Sequence, residues 1–212
     1  MHDSADNKYG INPTVVKLGI VSLLTDISTE SIYPLIPLFL KNVLLAPVVD
    51  IGLIEGLAES TASVLRMFSG WLSDRTGSRK WITVAGYSLS TISKPLLYLA
   101  TAWQHVLGIR FADRVGKGIR SAPRDALIAD VTSPESRGIA FGFHRAMDTV
   151  GALSGPLIAY FLLRMFIKGA SSSAIPESLY RKLFLLSAIP AASLGSTSIA
   201  AAAGGHPRRG AQ

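Results

Sequence analysis

The sequence predicts an all-α integral membrane protein of six bilayer-crossing helices. Three observations predict it. The 212 residues are 49% hydrophobic and only 17% charged, with a positive mean hydropathy of +0.37, which places the chain among membrane classes and excludes disorder. Bulky apolar residues gather into segments of roughly two dozen residues, the length a helix needs to cross about 30 Å of hydrocarbon. Connections between these segments are short and hold turn and breaker residues, leaving no stretch for a soluble domain.

The six predicted spans cover 15–40, 46–70, 81–102, 104–131, 138–166 and 180–203. A polar tail (1–13) precedes the bundle (14–203) and a second polar tail (204–212) follows it. The first residues lack the basic start, apolar run and small-residue cleavage site of a signal peptide, so the first span is expected to stay in the mature chain. Pro34, Pro37, Pro95, Pro123, Pro156 and Pro190 fall within the spans. In a soluble helix each interior proline costs about 3 kcal/mol; membrane helices accommodate them. The first and fourth spans are both rich in charge, a pattern consistent with two related three-helix units.

The fourth span carries the sharpest chemical signal. At 100° per residue, Arg110, Asp113, Arg114, Lys117, Arg120, Arg124 and Asp125 share an arc of roughly 140°. Phe111, Val115, Ile119, Ala122 and Ala126 lie opposite. A charge at mid-bilayer costs about 2.5 to 3.5 kcal/mol on the lenient insertion scale, so this stripe must face protein or a water-filled cavity. The competing reading is a basic amphipathic helix on a soluble surface, binding nucleic acid or a membrane face.

Counter-charges in the other spans favour the buried reading. Asp26 and Glu30 are four apart on the first span, Glu55 and Glu59 on the second, and Arg145 and Asp148 are three apart on the fifth; each pair shares a helix face. A desolvated interior requires such near-balance, because an unpaired buried charge is far costlier than a paired one. Nucleic-acid binding has no need of it. Many of these pairs would serve only to hold helices in register.

Enzyme chemistry fails on spacing. There is no cysteine, which excludes thiolate catalysis, disulfides and Cys-ligated zinc. His2, His105, His144 and His206 are scattered and make no metal-ligand pair. Val115-Gly116-Lys117-Gly118 lacks the upstream glycine and the following Ser or Thr of a phosphate loop. No cofactor or metal site is expected.

Gly70-Trp-Leu-Ser-Asp74-Arg75-Thr-Gly77-Ser-Arg79-Lys80 resembles the signature of the major facilitator superfamily between its second and third helices, and it follows two spans and precedes a third. Arg110-Phe111, Gly116, Gly118, Ala129-Asp130 and Pro134-Glu135-Ser-Arg137-Gly138 resemble the family's fourth helix and following loop. Arg114 stands where a glycine is usual, and Lys117, Arg120 and Arg124 add charge. Gly151-Ala-Leu-Ser-Gly155-Pro156 resembles the fifth-helix motif of the family's exporters, with Ala159 in place of the closing glycine; the same spacing also serves helix packing.

The resemblance implies the amino-terminal half of a twelve-helix transporter built of three-helix repeats, so that a truncated chain or a half that pairs with a second six-helix unit is expected. It further implies secondary-active, proton-coupled export of a small organic solute. Asp26, Glu30, Glu55, Glu59 and Asp148 would be the carboxylates titrating against Arg110, with Arg114, Lys117, Arg120, Arg124 and Arg145 completing the pocket. Gly70, Asp74, Arg75, Gly77, Arg79 and Lys80 would form a gating latch, and Gly151, Gly155 and Pro156 a packing seam. The expected partners are the solute, the lipid bilayer and a second half, without nucleic acid. The resemblance of the Asp74 motif, with a small excess of basic residues on the same side, implies that it and the amino terminus lie on the cytoplasmic side of a bacterial inner membrane.

Overall fold

The computed structural model describes residues 11–167 and 175–193, and among them every regular element is helical. Seven α-helices occur in order: α1 (Pro13–Ile32), α2 (Leu35–Asn42), α3 (Val48–Thr76), α4 (Arg79–Ser93), α5 (Trp103–Asp130), α6 (Arg137–Ile167) and α7 (Glu177–Ala192). Short 3₁₀ turns follow α4 (Lys94–Leu99) and precede α6 (Pro134–Ser136). Residues 1–10 of the first polar tail, the end of the sixth predicted span and the second polar tail lie outside the described residues.

The six predicted spans are present with three differences. The first, expected to be one helix over 15–40, is broken at Tyr33-Pro34 into α1 and α2, because Pro34 has no N–H to offer the Glu30 carbonyl. The third ends its α-helix at Ser93 and tightens into a 3₁₀ turn where Pro95 enters, for the same reason. The second runs past the expected boundary at 70 to Thr76. Its stop is Gly77, whose φ of 64° is left-handed and whose N–H bonds the Ser73 carbonyl; a glycine takes this conformation without strain. The turn between α3 and α4 is therefore only two residues long, shorter than the stretch between the expected ends of the second and third spans at 70 and 81.

Pro123, Pro156 and Pro190 sit inside continuous helices. At Pro156 the missing N–H frees the Ala152 carbonyl; one turn on, Ser31 Oγ of α1 donates to the Gly155 carbonyl at 3.0 Å and ties α1 to α6.

Two helix packings organise the bundle. α5 lies against both α3 and α4, and α1 lies against α6 and α7. Glycines allow the close approaches. A Cβ on Gly116 would stand 2.6 Å from the Gly86 carbonyl oxygen, and one on Gly118 2.8 Å from Leu65 Cβ, so α5 meets α4 and α3 backbone to backbone as small residues permit in membranes.

Apolar residues form two clusters at opposite ends of the bundle. Val15, Leu18, Val21, Val84, Tyr87, Leu127 and Ile128 pack at one end; Ile32, Ile36, Phe39, Ile54, Leu97, Val106, Tyr180 and Phe184 pack at the other. Both α1 and α5 thread from one cluster to the other, and their polar middles lie between. The outward faces are apolar: Met67 and Trp71 of α3 and Leu153, Phe161 and Met165 of α6 are all exposed. Arg114, by contrast, is 2% exposed and the largest fully buried side chain. Charge inside and hydrocarbon outside inverts the arrangement of a water-soluble domain.

Among the described residues one segment, Pro134–Phe166, is by length and composition apolar enough to cross a membrane. Its most apolar stretch has a mean hydropathy of 1.4, and 17% of it is buried within the chain. The other helices carry their interior charges on the same stretch as their apolar outer faces, which lowers their mean hydropathy.

Candidate functional site

The α5 stripe faces inward, as its periodicity predicts. Arg110, Arg114, Arg120 and Arg124 are all under a tenth exposed, whereas Phe111 on the opposite side is 48% exposed. A surface basic helix for nucleic acid would require these cations outside.

Each arginine has its own carboxylate or hydroxyl partners. Arg110 Nη2 donates to Glu55 Oε2 at 2.8 Å, its Nη1 stands 3.8 Å from Asp113 Oδ2, and its guanidinium lies 5.3 Å over the Tyr33 ring. Arg114 pairs with the more exposed Glu59 at 3.3 Å. Arg120 reaches Ser90 Oγ at 2.9 Å and Asp26 at 3.8 Å and lies 4.4 Å over the Tyr87 ring. Arg124 holds Asp125 at 2.9 Å, Ser22 Oγ at 3.1 Å and Asp148 at 3.8 Å. The expectation of a single cation, Arg110, against all the carboxylates thus resolves into a ladder. Arg110 takes Glu55 and Asp113, and Asp26 and Asp148 stand by Arg120 and Arg124, about three and four turns further along α5.

Between α1, α3, α5 and α6 lies a cavity of about 340 Å³. Its wall comprises Asp26, Glu30, Arg66, Lys117, Arg120, Ser121, Arg124, Asp125, Arg145, Asp148, Thr149 and Ala152. It gathers seven of the expected residues and leaves out Glu55, Glu59, Arg110 and Arg114, which lie beside it. Arg145 is mostly exposed and approaches Asp125 and Asp148 only to 3.9 Å.

The fifth-helix motif sets the position of two cavity carboxylates. A Cβ on Gly151 would come within 2.9 Å of Asp26 Cβ, and one on Gly155 within 2.6 Å of Glu30 Cβ. These glycines let α6 press on α1 where Asp26 and Glu30 leave the backbone, so their absent side chains fix how far the carboxylates reach.

The latch residues group around Arg79. Its guanidinium binds Asp74 at 3.0 Å and also donates to Asp130 at the end of α5. The hydrogen bond to Asp130 leads the effects that raise the Arg79 pKa above its ordinary value, against the cost of partial burial. Arg75 and Lys80 turn away and lie over the rings of Trp71 and Trp81 at 5.3 and 5.6 Å. Gly70 is close to Ala122 of α5, 3.3 Å from where its Cβ would be.

Several participants were not among the expected site residues. Arg66, Asp113, Asp125 and Asp130 carry the same signal as the rest, a charge within or beside a span. Lys94 is also charged and 3% exposed; its Nζ donates to the Thr25 carbonyl at 3.2 Å, and it shares the wall of a small cleft with Arg110 and Asp113. His144 is buried two turns into α6, with Nδ1 3.5 Å from Asp148. Ser22 and Ser90 carry no signal in the sequence, since serine is common in membrane helices.

The Major Facilitator Superfamily model matches residues 18–205. The chain belongs to the major facilitator superfamily. An uncharacterized MFS-type transporter of Methanocaldococcus jannaschii is 36% identical over 158 residues, 74% of this chain and 39% of its own length. The multidrug resistance protein MdtG of Enterobacter lignolyticus is 28% identical over 180 residues, 82% of this chain and 40% of its own. The crystal structure of a bacterial homologue of the human lysosomal transporter Spinster, inward-facing and unoccupied, superposes with a TM-score of 0.76 at 18% identity over 93% of this chain and 44% of that one. The chain therefore spans about two fifths of the length of these relatives, and its fold is a six-helix half of the major facilitator fold in a multi-pass membrane protein.

Proposed function

We propose that this chain forms the amino-terminal half of a secondary-active transporter that exports a small organic solute in exchange for protons, completed by a second six-helix half. The observation that carries the reading is the cavity: carboxylates Asp26 and Asp148 stand in its wall beside arginines at 3.8 Å, close enough to feel each cation and loose enough to exchange a proton for a bound solute. Coupling needs a group whose protonation changes with occupancy, and a carboxylate whose partner is drawn away by solute becomes protonated more easily. The contacts of Arg79 with Asp74 and Asp130, which tie the α3–α4 turn to the end of α5, support a role for this group as a charged latch. The motif at Gly151 and Gly155 supports export through its resemblance to the family's exporters, and the multidrug resistance protein among the relatives agrees. The concentration of Arg75, Arg79, Lys80 and Arg137 at one end of the bundle supports a cytoplasmic position for that end and for the amino terminus, in a bacterial inner membrane.

Everted inner-membrane vesicles carrying the protein test this. Proton release from respiration-energised vesicles on addition of extracts of cell solutes is expected, and Asp26→Asn should abolish it. Solute-independent proton movement, or full retention of coupling in both Asp26→Asn and Asp148→Asn, overturns the reading.

A further inference from the structure

The cavity is almost wholly ionic, which bears on what it holds. Nine of its twelve lining residues are charged, five cations and four carboxylates, and Ala152 is the one apolar member. A lipophilic solute entering such a wall would displace water from charges and gain little apolar contact in return.

The charges are not equally satisfied. Arg120 and Arg124 each have a carboxylate and a serine beside them, and Arg145 shares Asp125 and Asp148. Lys117, Arg66 and Glu30 form no ion pair and no side-chain hydrogen bond with the described residues. Two unpaired cations therefore oppose one unpaired carboxylate. Lys117 and Arg66 come from neighbouring positions of two helices in backbone contact, since the adjacent Gly118 and Leu65 are the pair whose Cβ atoms would stand 2.8 Å apart.

Resting on the exporter reading above, we propose that the cavity takes a small hydrophilic organic anion, its carboxylate or phosphate held between Lys117 and Arg66. Such a group supplies the missing counter-charge for both cations in one contact. A volume of about 340 Å³ suits a compact solute near the lower end of ligand-site sizes.

The test uses the full chain in nanodiscs of uncharged phosphatidylcholine, with radiolabelled succinate and inorganic phosphate as probes and the lipophilic cation tetraphenylphosphonium as competitor. Saturable binding of at least one anion is expected, undiminished by tetraphenylphosphonium, weakened about tenfold or more in the double variant Lys117→Gln, Arg66→Gln, and retained in Lys117→Arg. Succinate without phosphate assigns a carboxylate group, and the reverse assigns a phosphate. Binding of tetraphenylphosphonium with neither anion, or unchanged anion binding in the double variant, overturns the proposal. Should the double variant not fold, the competition on the unaltered chain still decides. The two readings fail separately: anion binding with no proton flux in vesicles removes the exporter, whereas flux evoked by tetraphenylphosphonium and not by either anion keeps the exporter and removes the anion.

Discussion

Gly155 of α6 stands so near Glu30 of α1 that a Cβ added to it would lie 2.6 Å from Glu30 Cβ and 2.8 Å from the Ser31 nitrogen. Backbone cannot yield as a flexible side chain can, so the two helices themselves would have to separate. Helix contact and carboxylate placement are thus one feature, and the glycine spacing of α6 matters to the cavity as well as to packing.

Gly155→Ala should consequently lower the unfolding midpoint of the detergent-purified protein, at a cost of about 1 to 3 kcal/mol as for an overpacked core. Gly142 has nothing within 4 Å of its Cβ position, and Gly142→Ala should be neutral or stabilising by up to about 1 kcal/mol. Equal midpoints for both variants would show that the α1–α6 contact is looser than described.

Glu55 and Glu59 should differ in importance although they are alike in the sequence. Glu55 is the close partner of Arg110, which is 3% exposed, while the Glu59 side chain is 56% exposed beside Arg114. Glu55→Gln leaves a buried guanidinium short of its nearest counter-charge and should cost about 3 kcal/mol or more; Glu59→Gln also uncovers a buried guanidinium, but water at the exposed Glu59 site can take over part of the pairing, so its cost should be smaller. Chemical denaturation of the two variants side by side checks the order.

Lys94 and Asp113 make a similar case deep in the bundle. Both are under a tenth exposed and line one small cleft. Lys94→Met alone should destabilise strongly, and adding Asp113→Asn should recover part of the loss, because removing one buried charge is costlier than removing two of opposite sign. A double-mutant cycle by thermal unfolding reads the coupling; simple additivity would mean that Lys94 acts through its bond to Thr25 alone.

At the α3–α4 turn, Asp130 should matter more than Asp74. Asp74 is 69% exposed at its side chain and Asp130 37%, so solvent screens the first pair more. Asp130→Asn is expected to impair proton-coupled flux in everted vesicles more than Asp74→Asn. Raising the ionic strength during the assay should narrow the difference if screening is its cause.

The sequence by itself determined the class of molecule, the all-helical order of its elements and the inward direction of the α5 stripe. Each follows from a cost that no fold can avoid: hydrocarbon admits helices whose charges point away from it, and a 3.6-residue repeat tells which charges point together. Six prolines are expected inside continuous spans; Pro123, Pro156 and Pro190 lie so, whereas Pro34 splits its helix and Pro95 tightens one into a 3₁₀ turn, since the outcome depends on what packs beside the freed carbonyls.

Tertiary structure alone decided which charge meets which. Arg110, Arg120 and Arg124 are equivalent on a helical wheel, yet one lies with Glu55 and the others with Asp26 and Asp148. Pairing depends on the relative height of helices far apart in the chain, and that height is set where glycines bring two backbones into contact, a relation between segments that no single segment contains.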